Sequence, residues 1–135
     1  MCANLRRATR AVTRLYNEEM RPHGLEITQF TLLMALDLTG EIPQRALGDL
    51  LAIDSTTLTR MLKPLAGHTW VNITIGDDRR QRLLRITAAG EEKLRESTVG
   101  WNRAQVRMRR ALGDQPTSGQ LNGLLVDVAT AAAAA

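Results

Sequence analysis

The chain has 135 residues, enough for one domain with its own core and too few for two. Apolar residues make up 44% and charged residues 24%, so the chain reads as globular rather than disordered. The formal charge is +4, with one cysteine and two histidines far apart, so an internal disulfide framework and a multi-thiolate metal site are both excluded.

No run of about 18 apolar residues occurs, so no membrane span is expected. The opening stretch MCANLRRATRAVTRLY is basic and amphipathic and lacks the apolar segment of a secretory signal, so a cytoplasmic protein is expected. Of the 18 basic residues, 16 are arginine, whose planar fork suits phosphate and guanine edges.

Residues 5–21 read as a helix, with Leu5, Ala8, Val12, Leu15, Tyr16 and Met20 at helical spacing and Pro22 and Gly24 behind them. Arg6, Arg7, Arg10 and Arg14 fill its other face, which reads as a solvated surface. A second helix is expected over 28–39 with Thr28 as its cap and Phe30, Leu33 and Met34 facing inward. Pro43 suits the first position of a short third helix that runs to Leu51.

Ala52-Ile53-Asp54 then forms a turn, and Asp54 is a suitable cap for a helix over 55–67. Leu58, Met61, Leu62 and Leu65 mark one side of that helix. Ser55, Thr56, Thr57, Thr59, Arg60 and Lys63 mark the other. Pro64 predicts a kink or an early end.

Residues 70–75 and 83–87 read as strands of a hairpin whose tip holds Asp77, Asp78, Arg79, Arg80 and Arg82. Thr87 is expected to cap a long helix with Leu94, Trp101, Ala104, Met108 and Leu112 as its stripe. Gly113 and Pro116 end it, and a last helix holds Leu121, Leu124, Leu125 and Val128. The run Ala131–Ala135 is low complexity and supports no reading. The fold class is therefore mainly α with a small β-hairpin wing, and two short helices joined by a turn and followed by a wing form a DNA-reading unit.

Charge supports that reading. Residues 43–87 hold seven basic against four acidic side chains, a net +3 in about a third of the chain. Short hydroxyls at the start of the fourth helix reach phosphates and base edges, and Arg60 can fork onto guanine. The crowded tip arginines suit a narrow minor groove, with Asp78 bracing one of them. No Gly-rich phosphate loop, paired carboxylates with a base, or nucleophile–His pair occurs, so neither an enzyme nor a cofactor or metal is expected.

The stretch IDSTTLTRMLKPL, then TWV, then DDRRQRLLRITAAGEEKL resembles the recognition helix, wing and following helix of the MarR family of regulators. Its wing signature, Asp-x-Arg followed by an apolar residue, Thr and Gly, is met by Asp78-Arg79-Arg80, Ile86-Thr87 and Gly90. AVTRLYNEEMRPHGLEITQFTLLMAL resembles the family's first two helices. The likeness runs from residue 2 to about 112. Thr69 stands where the family has Gly, and the stretch 72–76 lacks the family's basic residues.

The resemblance implies one domain over 1–135, with a winged-helix lobe over about 25–87 and N- and C-terminal dimerisation helices over about 1–24 and 88–130. It implies a homodimer on a roughly palindromic double-stranded DNA operator, a repressor released by a small aromatic ligand. Asp78 would orient Arg80, and Arg79, Arg80 and Arg82 would enter the minor groove. Ser55, Thr56, Thr57, Thr59, Arg60 and Lys63 would face the major groove. Exposed apolar stripes on the outer helices would independently need a second chain to cover them.

Two other readings stay open. Cys2 and Tyr16 resemble the spacing of the peroxide-sensing branch, and Arg6 one turn on would favour the thiolate that peroxide attacks. Cys2 also reads as an incidental terminal cysteine, and that is the favoured of the two readings. Finally, a winged-helix protein-interaction module would keep the fold without binding DNA, although the charge on 43–87 favours DNA.

Overall fold

A computed structural model describes residues 1–113 and 116–135. Helix α1 (Cys2–Met20) passes through a 3-10 turn (Arg21–His23) to α2 (Ile27–Thr39). Strand β1 (Ile42–Pro43), α3 (Gln44–Leu51) and α4 (Ser55–Gly67) follow. Strands β2 (Val71–Ile75) and β3 (Arg82–Ile86) form the hairpin, and α5 (Ala88–Leu112) and α6 (Ser118–Ala134) complete the order.

The core centres on α2, which buries Phe30, Leu32, Leu33, Ala35 and Leu36. Those positions surround most of the helix rather than marking one stripe, as suits an element packed on several sides. Leu58, Leu62 and Leu65 of α4 recur at one helical face and close on the same core, joined by Leu47, Val71, Leu84 and Ile86. Each such leucine contributes about 1.5–3 kcal/mol on burial.

Several boundaries differ from expectation for identifiable reasons. Helix α1 begins at Cys2 rather than at residue 5. Glu26, not Thr28, caps α2, through a reciprocal box with Gln29: the Gln29 side-chain oxygen accepts the Glu26 backbone N–H at 2.9 Å. Pro43 is not the first helical residue; it is extended (φ −60°, ψ 139°) and pairs with Leu83, so the sheet has three strands in the order β1-β3-β2. A proline is tolerated there because β1 is an edge strand. Pro64 neither ends nor shortens α4, which runs on to Gly67.

Helix α5 serves two neighbours. At Gly90 an added Cβ would overlap the Trp70 carbonyl oxygen, so the helix start sits directly on the end of the α4–β2 connection. At Gly100 an added Cβ would lie 2.6 Å from the Glu19 carbonyl oxygen, so α5 and α1 meet backbone to backbone. Arg107 reinforces that contact by donating to Glu19 at 2.7 Å and Glu18 at 3.2 Å. Helix α6 is capped by Thr117 and buries no residue.

Candidate nucleic-acid interface

The α3–α4 corner is set by a tight turn. Ala52 adopts a left-handed conformation (φ 53°), and Ile53 donates its N–H to the Gly48 carbonyl at 2.9 Å. A Cβ on Gly48 would stand 3.0 Å from the Ile53 carbonyl oxygen, which leaves little room for any larger residue.

Asp54 then starts α4 with both carboxylate oxygens engaged. One accepts the Thr57 N–H at 2.9 Å and the other accepts the Thr57 hydroxyl at 2.6 Å. These bonds, the hydroxyl first, hold the Asp54 carboxyl below its usual range by favouring the charged form.

The six residues expected at the major groove divide into two sets. The Thr57 hydroxyl is spent on Asp54. The Thr59 hydroxyl donates to the Ser55 carbonyl at 2.8 Å and accepts from Gln44 at 3.0 Å, so it ties α3 to α4. Neither has a free donor proton for a base edge. Ser55, Thr56, Arg60 and Lys63 are exposed. Thr56, Arg60 and Lys63 recur along one face, opposite the buried Leu58, Leu62 and Leu65.

The wing tip is closed by its own backbone. Gly76 donates to the Gln81 carbonyl at 2.9 Å, and Gln81 donates to the Asp78 carbonyl at 2.8 Å. Asp78 braces Arg80 through the backbone N–H, at 3.0 Å, rather than through the guanidinium. The Arg82 guanidinium turns back onto the Arg79 carbonyl at 3.1 Å. Arg79 and Arg80 are exposed, and among the described residues neither is ion-paired.

An open cleft of about 1030 Å³ lies between the helical corner and the wing. Arg45 and Asp54 line one side of it, and Asp78, Arg80 and Arg82 line the other. The fold therefore brings the start of α4 and the wing arginines to a common surface. Arg45 was counted in the charge of this region but not singled out, although its place opposite the buried Leu47 on a short amphipathic helix marks it as outward-facing. Gln44 carried no local signal, because its role depends on reaching Thr59 fifteen positions away.

The other candidates lie elsewhere. Cys2 is an exposed thiol, and Tyr16 sits fourteen positions on in the same continuous helix, about 21 Å along the axis. One chain thus does not bring them together. Partial burial raises the Tyr16 pKa, and nearby Arg109 opposes that shift. Trp101 stacks on Phe30 with ring centroids 6.1 Å apart, packed against the core. Among the described residues, no cluster of His, Cys, Asp or Glu could hold a metal, and no helix is long and apolar enough to cross a membrane.

Comparison with known proteins places this geometry. A family model described as the MarR family matches residues 25–81. The Bacillus subtilis protein YwoH, an uncharacterised HTH-type transcriptional regulator, is 30% identical over 95 residues, covering 70% of this chain and 69% of YwoH. The Mycobacterium tuberculosis transcriptional regulator MosR, solved in complex with DNA, superposes with a TM-score of 0.87 at 28% identity, covering 98% of this chain and 96% of that one. A probable transcriptional regulator from Pseudomonas aeruginosa superposes with a TM-score of 0.82 at 26% identity, covering 95% and 96%.

Proposed function

The chain belongs to the MarR family of transcriptional regulators, and from that premise we propose that it binds double-stranded DNA as a homodimer and acts as a repressor. It is a regulator and not an enzyme. The observation that carries the DNA-binding reading is the shared surface of α4 and the wing, where Ser55 and Arg80 line one cleft. A recognition helix in the major groove with a wing in the adjacent minor groove needs that juxtaposition. The DNA complex of the similar MosR supports it.

In this reading Ser55, Thr56, Arg60 and Lys63 meet the major groove, and Arg79 and Arg80 meet the minor groove. Thr57, Thr59 and Asp78 hold those residues in place. Arg82 and Arg45 add positive potential beside the phosphates. The bare apolar face of α6, with Leu124 60% and Leu125 47% exposed, supports a dimer built from α1, α5 and α6. Two copies related by a twofold axis would read a roughly palindromic operator. Release by a small aromatic ligand completes the cycle that family membership favours.

The test is a binding competition. The protein should retain its own upstream intergenic DNA against excess coding DNA of equal length. Equal loss to both competitors would remove the sequence-specific reading.

A further inference from the structure

The end of α4 and the start of α5 meet at one hydroxyl. The Thr87 side chain donates to the Thr69 carbonyl oxygen at 2.6 Å and accepts the Gly90 N–H at 3.0 Å. The Thr87 backbone N–H donates to the Trp70 carbonyl at 3.0 Å. One residue therefore holds two successive carbonyls just beyond α4 while it caps α5.

Thr69 is held there in an unfavourable backbone shape. Its φ is +63°, a left-handed conformation that a β-branched residue rarely adopts. Such strain persists only where the surroundings over-determine it. Here they do. Thr69 donates its N–H to Ala66, Thr87 holds its carbonyl, and Gly90 packs on the next carbonyl with no space for a Cβ. The Trp70 ring is also held, stacked on His68 with centroids 4.3 Å apart and with the Lys93 ammonium 5.4 Å from its centroid.

We propose that Thr69 and Thr87 are positioning residues that fix the direction of α4 relative to α5, and so set the separation of the two recognition helices in the dimer. This rests on the proposed function, in which α4 reads DNA and α5 belongs to the dimer. The lever is long: from Gly67 back to Ser55 the helix spans about 20 Å, so a rotation of roughly 10° at the joint moves its reading end by about 3 Å. That is close to one base-pair step, and half-sites must sit about one helical turn apart to engage both subunits. The joint lies outside the residues proposed to meet DNA, yet it would determine which spacing fits.

The experiment uses the full-length protein and its upstream intergenic operator, with the half-site separation lengthened and shortened by single base pairs. Thr87→Asp keeps a capping acceptor for Gly90 but has no proton for Thr69. Thr69→Gly relieves the left-handed strain. Thr87→Ser keeps both hydroxyl bonds. Non-specific binding to coding DNA serves as the reference for the added charge and for folding.

The expected result is a wild-type preference for one spacing of about tenfold or more, kept by Thr87→Ser. Thr87→Asp and Thr69→Gly should flatten it while leaving non-specific binding within about twofold; couplings through packed joints are commonly of this size. A full spacing preference in both Thr87→Asp and Thr69→Gly overturns the proposal and leaves Thr87 as a cap alone. Wild type without any operator preference overturns the proposed function, and the joint's role with it.

Discussion

Asp78 accepts the backbone N–H of Arg80 at 3.0 Å, so the carboxylate shapes the wing tip while the exposed Arg80 guanidinium takes no part in that bond. Shape and charge then act in opposite directions. Asp78→Asn keeps an acceptor oxygen and removes a negative charge from the interface, so operator affinity should hold or rise. Asp78→Ala also removes the charge but unfastens the tip, so affinity should fall about threefold to tenfold, the net worth of one exposed hydrogen bond. Equal affinity for the two variants would show that the bond does not order the tip.

Asp54 gives α4 a pH-dependent start. Its folded pKa is lowered, chiefly by the Thr57 hydroxyl and then by the Thr57 N–H. A lowered folded pKa contributes stability that is present above the unfolded value, near 3.8, and is lost as pH falls through the folded value. Thermal unfolding of wild type and Asp54→Asn should therefore differ at neutral pH and converge under acid. Asp54→Ala should lower the melting temperature by a few degrees at pH 7 through loss of the cap. A wild-type advantage over Asp54→Asn that does not shrink as the pH is lowered from neutral through and below 3.8 would contradict this assignment.

Two glycines should respond to alanine with opposite signs. Gly67 ends α4 with nothing within 4 Å of an added Cβ, so Gly67→Ala should stabilise by up to about 1 kcal/mol by restricting the unfolded chain. Gly90 sits against the Trp70 carbonyl, and Gly90→Ala should destabilise by about 1–3 kcal/mol despite the better helix propensity of alanine. Denaturant midpoints of the two variants would check the pair.

The exposed face of α6 offers a test of assembly separate from DNA. Leu124→Glu with Leu125→Glu should convert a dimer to a monomer in light scattering, because two charges would enter the apolar contact. The lobe should stay folded, since α6 buries no residue against it. Operator affinity should drop by about a hundredfold or more as the two half-sites lose their link. An unaltered dimer mass would place the interface elsewhere.

Much of the fold was legible in the sequence because local chemistry and tertiary packing agree. Asp54 and Thr87 cap the helices they were expected to cap, and the hairpin and the span of α4 lie where their patterns place them. The misses share a cause in contacts distant along the chain. Nothing near Pro43 announces a strand, because β1 exists only by pairing with β3 some forty positions on. Thr57 and Thr59 look like free hydroxyls until Asp54 and Gln44 are seen to occupy them. Arg82 looks like a third projecting arginine until it folds onto the Arg79 carbonyl. Glu26 was passed over because glutamate is a less favoured cap than threonine, yet the partner Gln29 makes it the better one here.

Whether the wing and α4 form one DNA-reading surface is decided by titrating the upstream intergenic DNA with wild type and Arg80→Ala at several salt concentrations. Wild type should bind specifically, with an affinity that weakens steeply as salt rises. Arg80→Ala should lose about tenfold or more, with a salt slope shallower by about one counterion. Wild-type binding that is weak, indifferent to sequence and unchanged by Arg80→Ala would contradict a shared reading surface.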